Sequence, residues 1–146
     1  IKYMRGRIIM ELNECINFLL TKAQHTVFQY LKSELVRYDV TPVQYGILKC
    51  LWSEDGQTPK QISDILGLDG STITGLLDRM ENKGLLKRAE NPEDRRTLKV
   101  IITDKGLKLR EPIEVVVEKM NIHIMEIFTE DEQQQFKNFL RQIINR

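Results

Sequence analysis

Between residues 58 and 106 the chain spells a fixed order of elements: a short capped helix, a Gly-Leu-Asp-Gly turn, a second amphipathic helix, then two strands joined by the polar tip Asn91-Pro92-Glu93-Asp94-Arg95-Arg96. That order is the sequence form of a helix-turn-helix followed by a β-wing, which enters one groove of DNA while touching the next. Thr58 offers a hydroxyl at the N-cap, Pro59 occupies the first helical position where no N–H is missed, and Gln61 closes a capping box. Ile62, Ile65 and Leu66 repeat at helical spacing, and Gly67 ends the run because it tolerates the left-handed conformation. Asp69 then caps a helix whose apolar stripe is Ile73, Leu76, Leu77 and Met80, ending before Gly84.

At about 100° per residue, Ser71, Thr74, Gly75, Asp78 and Asn82 fall opposite that stripe, with Thr72 and Arg79 on its flank. Short hydroxyl side chains let a backbone approach base edges, and their methyl and methylene groups can meet thymine methyls. Gly75 removes bulk from the same side. A solvated polar face is the plain reading of an isolated amphipathic helix; the preceding helix and the following hairpin turn the reading toward recognition.

The hairpin reads Leu86 to Glu90, the turn, then Thr97 to Ile102. Alternation of Leu98, Val100 and Ile102 with Thr97, Lys99 and Ile101 predicts a strand with one face on the core. Arg95 and Arg96 sit near the tip, where a guanidinium can enter a narrow minor groove and Asp94 can brace one of them. A solvated charge cluster is the alternative.

From Leu85-Leu86 through the 91–96 tip and on to Ile102-Thr103-Asp104-Lys105-Gly106, the chain resembles the MarR family of bacterial winged-helix regulators. The Asp-x-Arg wing and the Ile-Thr-x-x-Gly that follows are the most specific marks, and Asp78 to Leu85 is similar to the end of the family's recognition helix. The resemblance extends over essentially the whole chain. It implies that Asp94 and Arg96 form the wing pair, with Arg95 between them, and that Ser71, Thr72, Thr74 and Arg79 lie on the DNA-contacting helix. It also implies an intertwined homodimer and a small aromatic or amphipathic effector in a cleft between the dimerisation helices and the winged domain. Ligand-responsive repression is the expected function, with activation the lesser alternative.

Residues 5 to 37 carry apolar residues from Ile8 and Ile9 through Leu12, Cys15 and Ile16 to Leu35 in a three-four repeat, which predicts one long helix. Thr41-Pro42-Val43-Gln44 starts another. Thr103 is expected to cap a long helix that Pro112 either bends or marks as its true first turn. Thr129-Glu130-Asp131-Glu132 opens the last, which presents Phe136, Phe139, Leu140, Ile143 and Ile144. The expected fold is mainly α with a small β part: a single domain over 1–146, with a winged helix-turn-helix at 41–102 and dimerisation helices at 5–40 and 103–146. Two-fold pairing of the helices asks for an inverted-repeat site with half-sites roughly 34 Å apart. Packing into a monomeric bundle is the other way to bury these faces.

Charge supports double-stranded DNA as partner only locally. The chain has 22 basic and 21 acidic residues. Lys83 to Lys99, however, holds six basic residues against three acidic ones, which is +3 around the wing. With no long apolar run and no signal-peptide pattern, a cytoplasmic protein without membrane contact is expected. Cys15 and Cys50 read as reduced, buried small hydrophobes. The family's peroxide sensors carry a first-helix cysteine, but Cys15 falls about two positions early, and Thr21 stands where they carry tyrosine. His25 and His123 are too scattered to argue for a metal. No phosphate loop, His-Glu-x-x-His, Cys-x-x-Cys or nucleophile elbow occurs, so neither catalytic residues nor a cofactor are expected. The reading from another class is a winged-helix protein-interaction module without specific DNA binding.

Overall fold

The computed structural model describes residues 11–146 throughout and the backbone alone of residues 2–4 and 7–9. Its elements are β1 (Lys2–Met4), β2 (Arg7–Ile9), a 3-10 turn (Leu12–Glu14), α1 (Ile16–Leu35), a second 3-10 turn (Val36–Tyr38), α2 (Pro42–Ser53), α3 (Pro59–Leu66), α4 (Gly70–Asn82), β3 (Leu86–Glu90), β4 (Leu98–Ile102), α5 (Asp104–Lys108), α6 (Arg110–Met125) and α7 (Glu130–Ile144). The described residues are mainly helical, with two small antiparallel hairpins, β1–β2 and β3–β4. They fall into two compact units, residues 34–116, and residues 1–33 with 117–146. No helix among them is long and apolar enough to cross a membrane.

Local chemistry sets the helix ends in the 34–116 unit. Thr41 and Thr58 each accept the N–H of a glutamine three residues on, and each glutamine side chain returns the bond to the cap N–H. Two orphan donors per helix are satisfied in this way. Gly67 ends α3 at φ 66°. The end of α2 is closed by Gln57, a buried side chain whose Nε2 donates to the carbonyls of Cys50 and Glu54 at 2.9 and 2.8 Å. Ile47, Leu48, Ile62, Met80, Leu86 and Val100 meet at 1% exposure or less, so three helices and the hairpin share one core.

The far edge of β4 is also occupied. Gly56 and Val100 exchange bonds with their neighbours, Gly56 N donating to Val100 O and Val100 N to Gln57 O. Ile102 N donates to the Asp55 carboxylate at 2.8 Å. β3 pairs with β4 from Leu86↔Ile102 to Glu90↔Leu98. Strict alternation fails at the tip: Val100 is buried, but Leu98 is 44% exposed, because the hairpin has by then run past the core that gives alternation its meaning.

Gly106 is held where no other residue fits. An added Cβ would lie 2.2 Å from the Leu85 carbonyl oxygen and 2.5 Å from Ile102 Cδ1. The buried indole of Trp52 donates to the Gly106 carbonyl at 3.1 Å. Thr103 caps α5 as expected, but the helix it starts is short; the chain breaks at Leu109, and Pro112 occupies the first turn of α6. Proline has no N–H to give the Lys108 carbonyl and its ring would clash there, so a straight helix through this point is disfavoured and the chain breaks instead.

In the other unit the first helix is shorter than the repeat predicts. Ile8 and Ile9 belong to β2, Leu12 to a 3-10 turn, and Cys15 is extended before α1 begins at Ile16. Residues 5, 6 and 10, which the predicted helix included, lie outside the described residues. Cys15 is accordingly half-buried rather than buried, whereas burial raises the Cys50 thiol above its ordinary pKa. Thr129 and Glu132 form the third capping box. Phe128 stacks on Phe136 at 5.8 Å, and Tyr30 on His123 at 5.3 Å, with His123 Nδ1 2.9 Å from Glu126. Leu20, Val27, Phe28, Leu31, Phe136 and Leu140 line an open apolar groove of about 360 Å³ between α1 and α7.

Candidate nucleic-acid interface

α4 is seated by Ile73, Leu77 and Met80, each 2% exposed or less. Opposite them Ser71, Thr72, Thr74, Asp78, Arg79 and Asn82 are exposed, and Gly75 is half-buried. The outer face is therefore polar along its length. A Cβ at Gly75 would make only ordinary contact, 3.8 Å from Arg79 Nη1.

Asp69 organises the start of this face. Its carboxylate accepts the Thr72 N–H at 2.7 Å, the Ser71 hydroxyl at 2.7 Å and the Thr72 hydroxyl at 2.8 Å. The Ser71 hydroxyl, then the Thr72 N–H and hydroxyl, hold the Asp69 pKa down to about 2. One turn on, the Thr74 hydroxyl donates to the Gly70 carbonyl at 2.8 Å. The sequence identified Asp69 as a cap but not as the acceptor for two hydroxyls of this face.

Asp78 keeps its expected place on the outer face but carries an ion pair there. Arg88, on β3, reaches α4 with Nη2 2.7 Å from Asp78 Oδ1 and 2.6 Å from Glu81 Oε2, while its own backbone N–H donates to Glu81 Oε1 at 2.8 Å. Bonds from the Arg88 backbone and side chain lower the Glu81 pKa. Sequence reasoning counted Arg88 only as one charge of the wing. Its signal was the Asp78/Glu81 pair three residues apart, a carboxylate fork for a cation on the neighbouring strand.

The end of α4 is tied down as well. Lys83 Nζ donates to the Asp39 carbonyl at 2.6 Å and lies 3.0 Å from its carboxylate. Lys105 Nζ donates to the Lys83 carbonyl, and the Thr103 hydroxyl to the Gly84 carbonyl, both at 2.6 Å. The carbonyls left open by the helix terminus thus find donors from the segment after the wing.

At the wing tip, the buried Asn91 amide donates to the Thr97 hydroxyl at 2.9 Å, and its carbonyl accepts the Glu93 N–H at 3.1 Å. Asp94 Oδ1 accepts the Arg96 N–H at 3.0 Å and lies 3.3 Å from Arg96 Nε. The Arg96 side chain is nevertheless 91% exposed. Arg95 is exposed and forms no ion pair among the described residues. The structure thus places Arg95 and Arg96 together at the tip, with Asp94 bonded to Arg96.

Among the described residues no three His, Cys, Asp or Glu side chains gather as metal ligands. The chemistry on offer is donors and acceptors on one helix face and cations on an adjacent hairpin.

The family model described as "MarR family" matches residues 40–98. The chain is 33% identical to the organic hydroperoxide resistance transcriptional regulator of Bacillus subtilis, over 70% of this chain and 69% of that protein. It is 37% identical to the HTH-type transcriptional regulator TtmR of Methylorubrum extorquens over 64% of this chain, a match that spans only 48% of that longer relative. Among solved structures, the PcaV transcriptional regulator of Streptomyces coelicolor, in complex with its natural ligand, superposes with a TM-score of 0.86 at 27% identity, covering 95% of this chain and 98% of that one. The MepR–DNA complex of S. aureus gives 0.84 at 26% identity, covering 90% and 97%.

Proposed function

The chain belongs to the MarR family of transcriptional regulators, and from that premise we propose that it binds an inverted-repeat DNA operator as a homodimer and represses transcription until a small effector weakens the complex. The observation that carries this reading is the outer face of α4, polar from Ser71 to Asn82, beside a hairpin whose tip exposes Arg95 and Arg96. Residues 41–102 act as the winged helix-turn-helix in this reading. Ser71, Thr72, Thr74 and Arg79 reach base edges, Gly75 gives clearance, and Asp94 aims Arg96 at a minor groove. Asp78 serves through Arg88 as part of the frame.

The homodimer is supported by what the 117–146 segment and α1 leave uncovered. Ile122, Phe139, Ile143 and Ile144 are each about half exposed or more, as are Leu12 and Ile16, and the groove between α1 and α7 is open. A soluble monomer rarely exposes apolar area of this extent, and a second copy presents the same faces in return. An aromatic or amphipathic effector would act by binding one spacing of the two recognition helices better than the other. The solved complexes of PcaV with its ligand and MepR with DNA support both kinds of partner. A DNA operator makes the bacterial cytoplasm the place of action.

Selection of bound fragments from genomic DNA, followed by titration of the chosen site against scrambled duplex, tests the proposal. An inverted repeat bound at least a hundredfold above the scramble is expected. Equal binding of both would leave the polar face of α4 to a protein partner.

A further inference from the structure

The hydrogen bonds of Ser71, Thr72 and Thr74 have a direction, and it restricts what these side chains can read. An ionised carboxylate and a backbone carbonyl hold no proton to give, so in each bond to Asp69 or to the Gly70 carbonyl the hydroxyl must be the donor. A hydroxyl has one proton and two lone pairs. With the proton turned inward, each of these groups offers only acceptors outward. Breaking a bond to Asp69 to free a proton means giving up a charge-assisted interaction, stronger than a neutral one.

In the major groove the donors are adenine N6 and cytosine N4, while guanine O6, thymine O4 and the purine N7 atoms accept. DNA phosphate oxygens also only accept, so the three hydroxyls are mismatched to the backbone and to guanine. Arg79, with no ion pair among the described residues, has the opposite character and only donates. Resting on the operator-binding reading above, we infer that the N-terminal half of α4 selects exocyclic amino groups, adenine N6 or cytosine N4, through Ser71, Thr72 and Thr74. Asp69 is the positioning residue that sets this preference by taking the protons of two of them. The helix is thereby polarised, with acceptors over its first turns and a donor at Arg79 near its end.

The 146-residue chain and an operator selected from random duplex test this directly. Each adenine or cytosine of a half-site is replaced in turn by an analogue without the amino group, unsubstituted purine or 2-pyrimidinone, and each purine by its 7-deaza form. At one or more positions loss of the amino group should weaken binding roughly 5- to 20-fold. That penalty should vanish in Ser71→Ala, Thr72→Val or Thr74→Val, and 7-deaza substitution there should change binding less than about twofold. The adenine and cytosine arms identify which amino group is read.

Asp69→Asn provides an independent readout. Asparagine still caps a helix, but its amide donates as well as accepts, which releases a proton of Ser71 or Thr72. Guanine or thymine should then be tolerated at the contacted position, a change that a purely structural role for Asp69 does not produce. If amino-group removal is neutral at every position while N7 removal gives the penalty that the hydroxyl variants abolish, the inference is overturned. Asp69→Asn retaining the original base preference also overturns it. Failure to select any specific duplex would instead sink the operator-binding reading, before a single analogue is tried.

Discussion

The Arg88 guanidinium on β3 lies 2.7 Å from the Asp78 carboxylate on α4, so the hairpin that carries Arg95 and Arg96 is cross-linked to the helix that carries Thr72 and Thr74. The same guanidinium reaches Glu81 one turn further on. Two carboxylates on one helix face thus grip one planar cation, which fixes the angle of the wing as well as its distance.

Arg88→Met should therefore loosen the wing without unfolding the unit. Operator affinity is expected to fall about tenfold while helical content by circular dichroism is unchanged, and Arg88→Lys should recover only part because an ammonium is a point charge. Wild-type affinity in Arg88→Met would show that wing and helix keep their geometry without the brace.

Arg96→Ala should weaken operator binding by about 1–3 kcal/mol and leave thermal unfolding where it was, since the side chain is almost wholly solvent-exposed. Titration of the selected duplex checks the first part and calorimetry the second. Undiminished affinity would remove Arg96 from the interface.

Acid should uncap α4 only at very low pH. The Asp69 pKa is lowered from 3.8 to about 2, so the folded state favours the ionised form. Its stabilising effect is complete above about pH 4 and is lost as pH falls through about 2. Carbon-13 titration of the Asp69 carboxyl should give a midpoint near 2. A midpoint close to 3.8 would mean that the Ser71 and Thr72 bonds do not persist in solution.

Gly106→Ala should destabilise the 34–116 unit by about 2–3 kcal/mol, because the new Cβ meets a backbone carbonyl that cannot step aside as a flexible side chain would. Urea unfolding followed at Trp52 reads the loss. A change below about 0.5 kcal/mol would show that the α5 turn shifts freely.

Phe139→Glu should convert a dimer into a monomer, since Phe139 is 52% exposed on α7 and has little to lose within its own chain. Sedimentation at micromolar concentration should show half the mass, with specific operator binding abolished. A dimer of unchanged stability would move the interface away from this face.

How much of this was legible beforehand follows from the range of each interaction. The capping boxes at Thr41, Thr58 and Thr129 are complete within four residues, and the sequence placed all three. The start of α1 was not legible, because apolar spacing continues through Leu12 and Cys15 although the backbone there is not α-helical. Alternation in β4 indicated Val100 correctly but not that the core ends before Leu98. The ion pair of Asp78 was not legible, because its partner, Arg88, is ten residues away on another element. The polarity of Ser71 and Thr72 needed atomic positions, since a hydroxyl's sequence symbol does not tell which way its proton points.

The bond from Trp52 to Gly106 also makes the molecule its own reporter. Trp52 is the sole tryptophan of the chain, it is buried, and its indole N–H is fixed to the first turn after the wing. Emission on excitation at the red edge of protein absorbance arises from the 34–116 unit and not from residues 1–33 or 117–146. Fluorescence and far-ultraviolet ellipticity, recorded on one sample, can therefore separate melting of the winged unit from melting of the terminal helices, with no label attached.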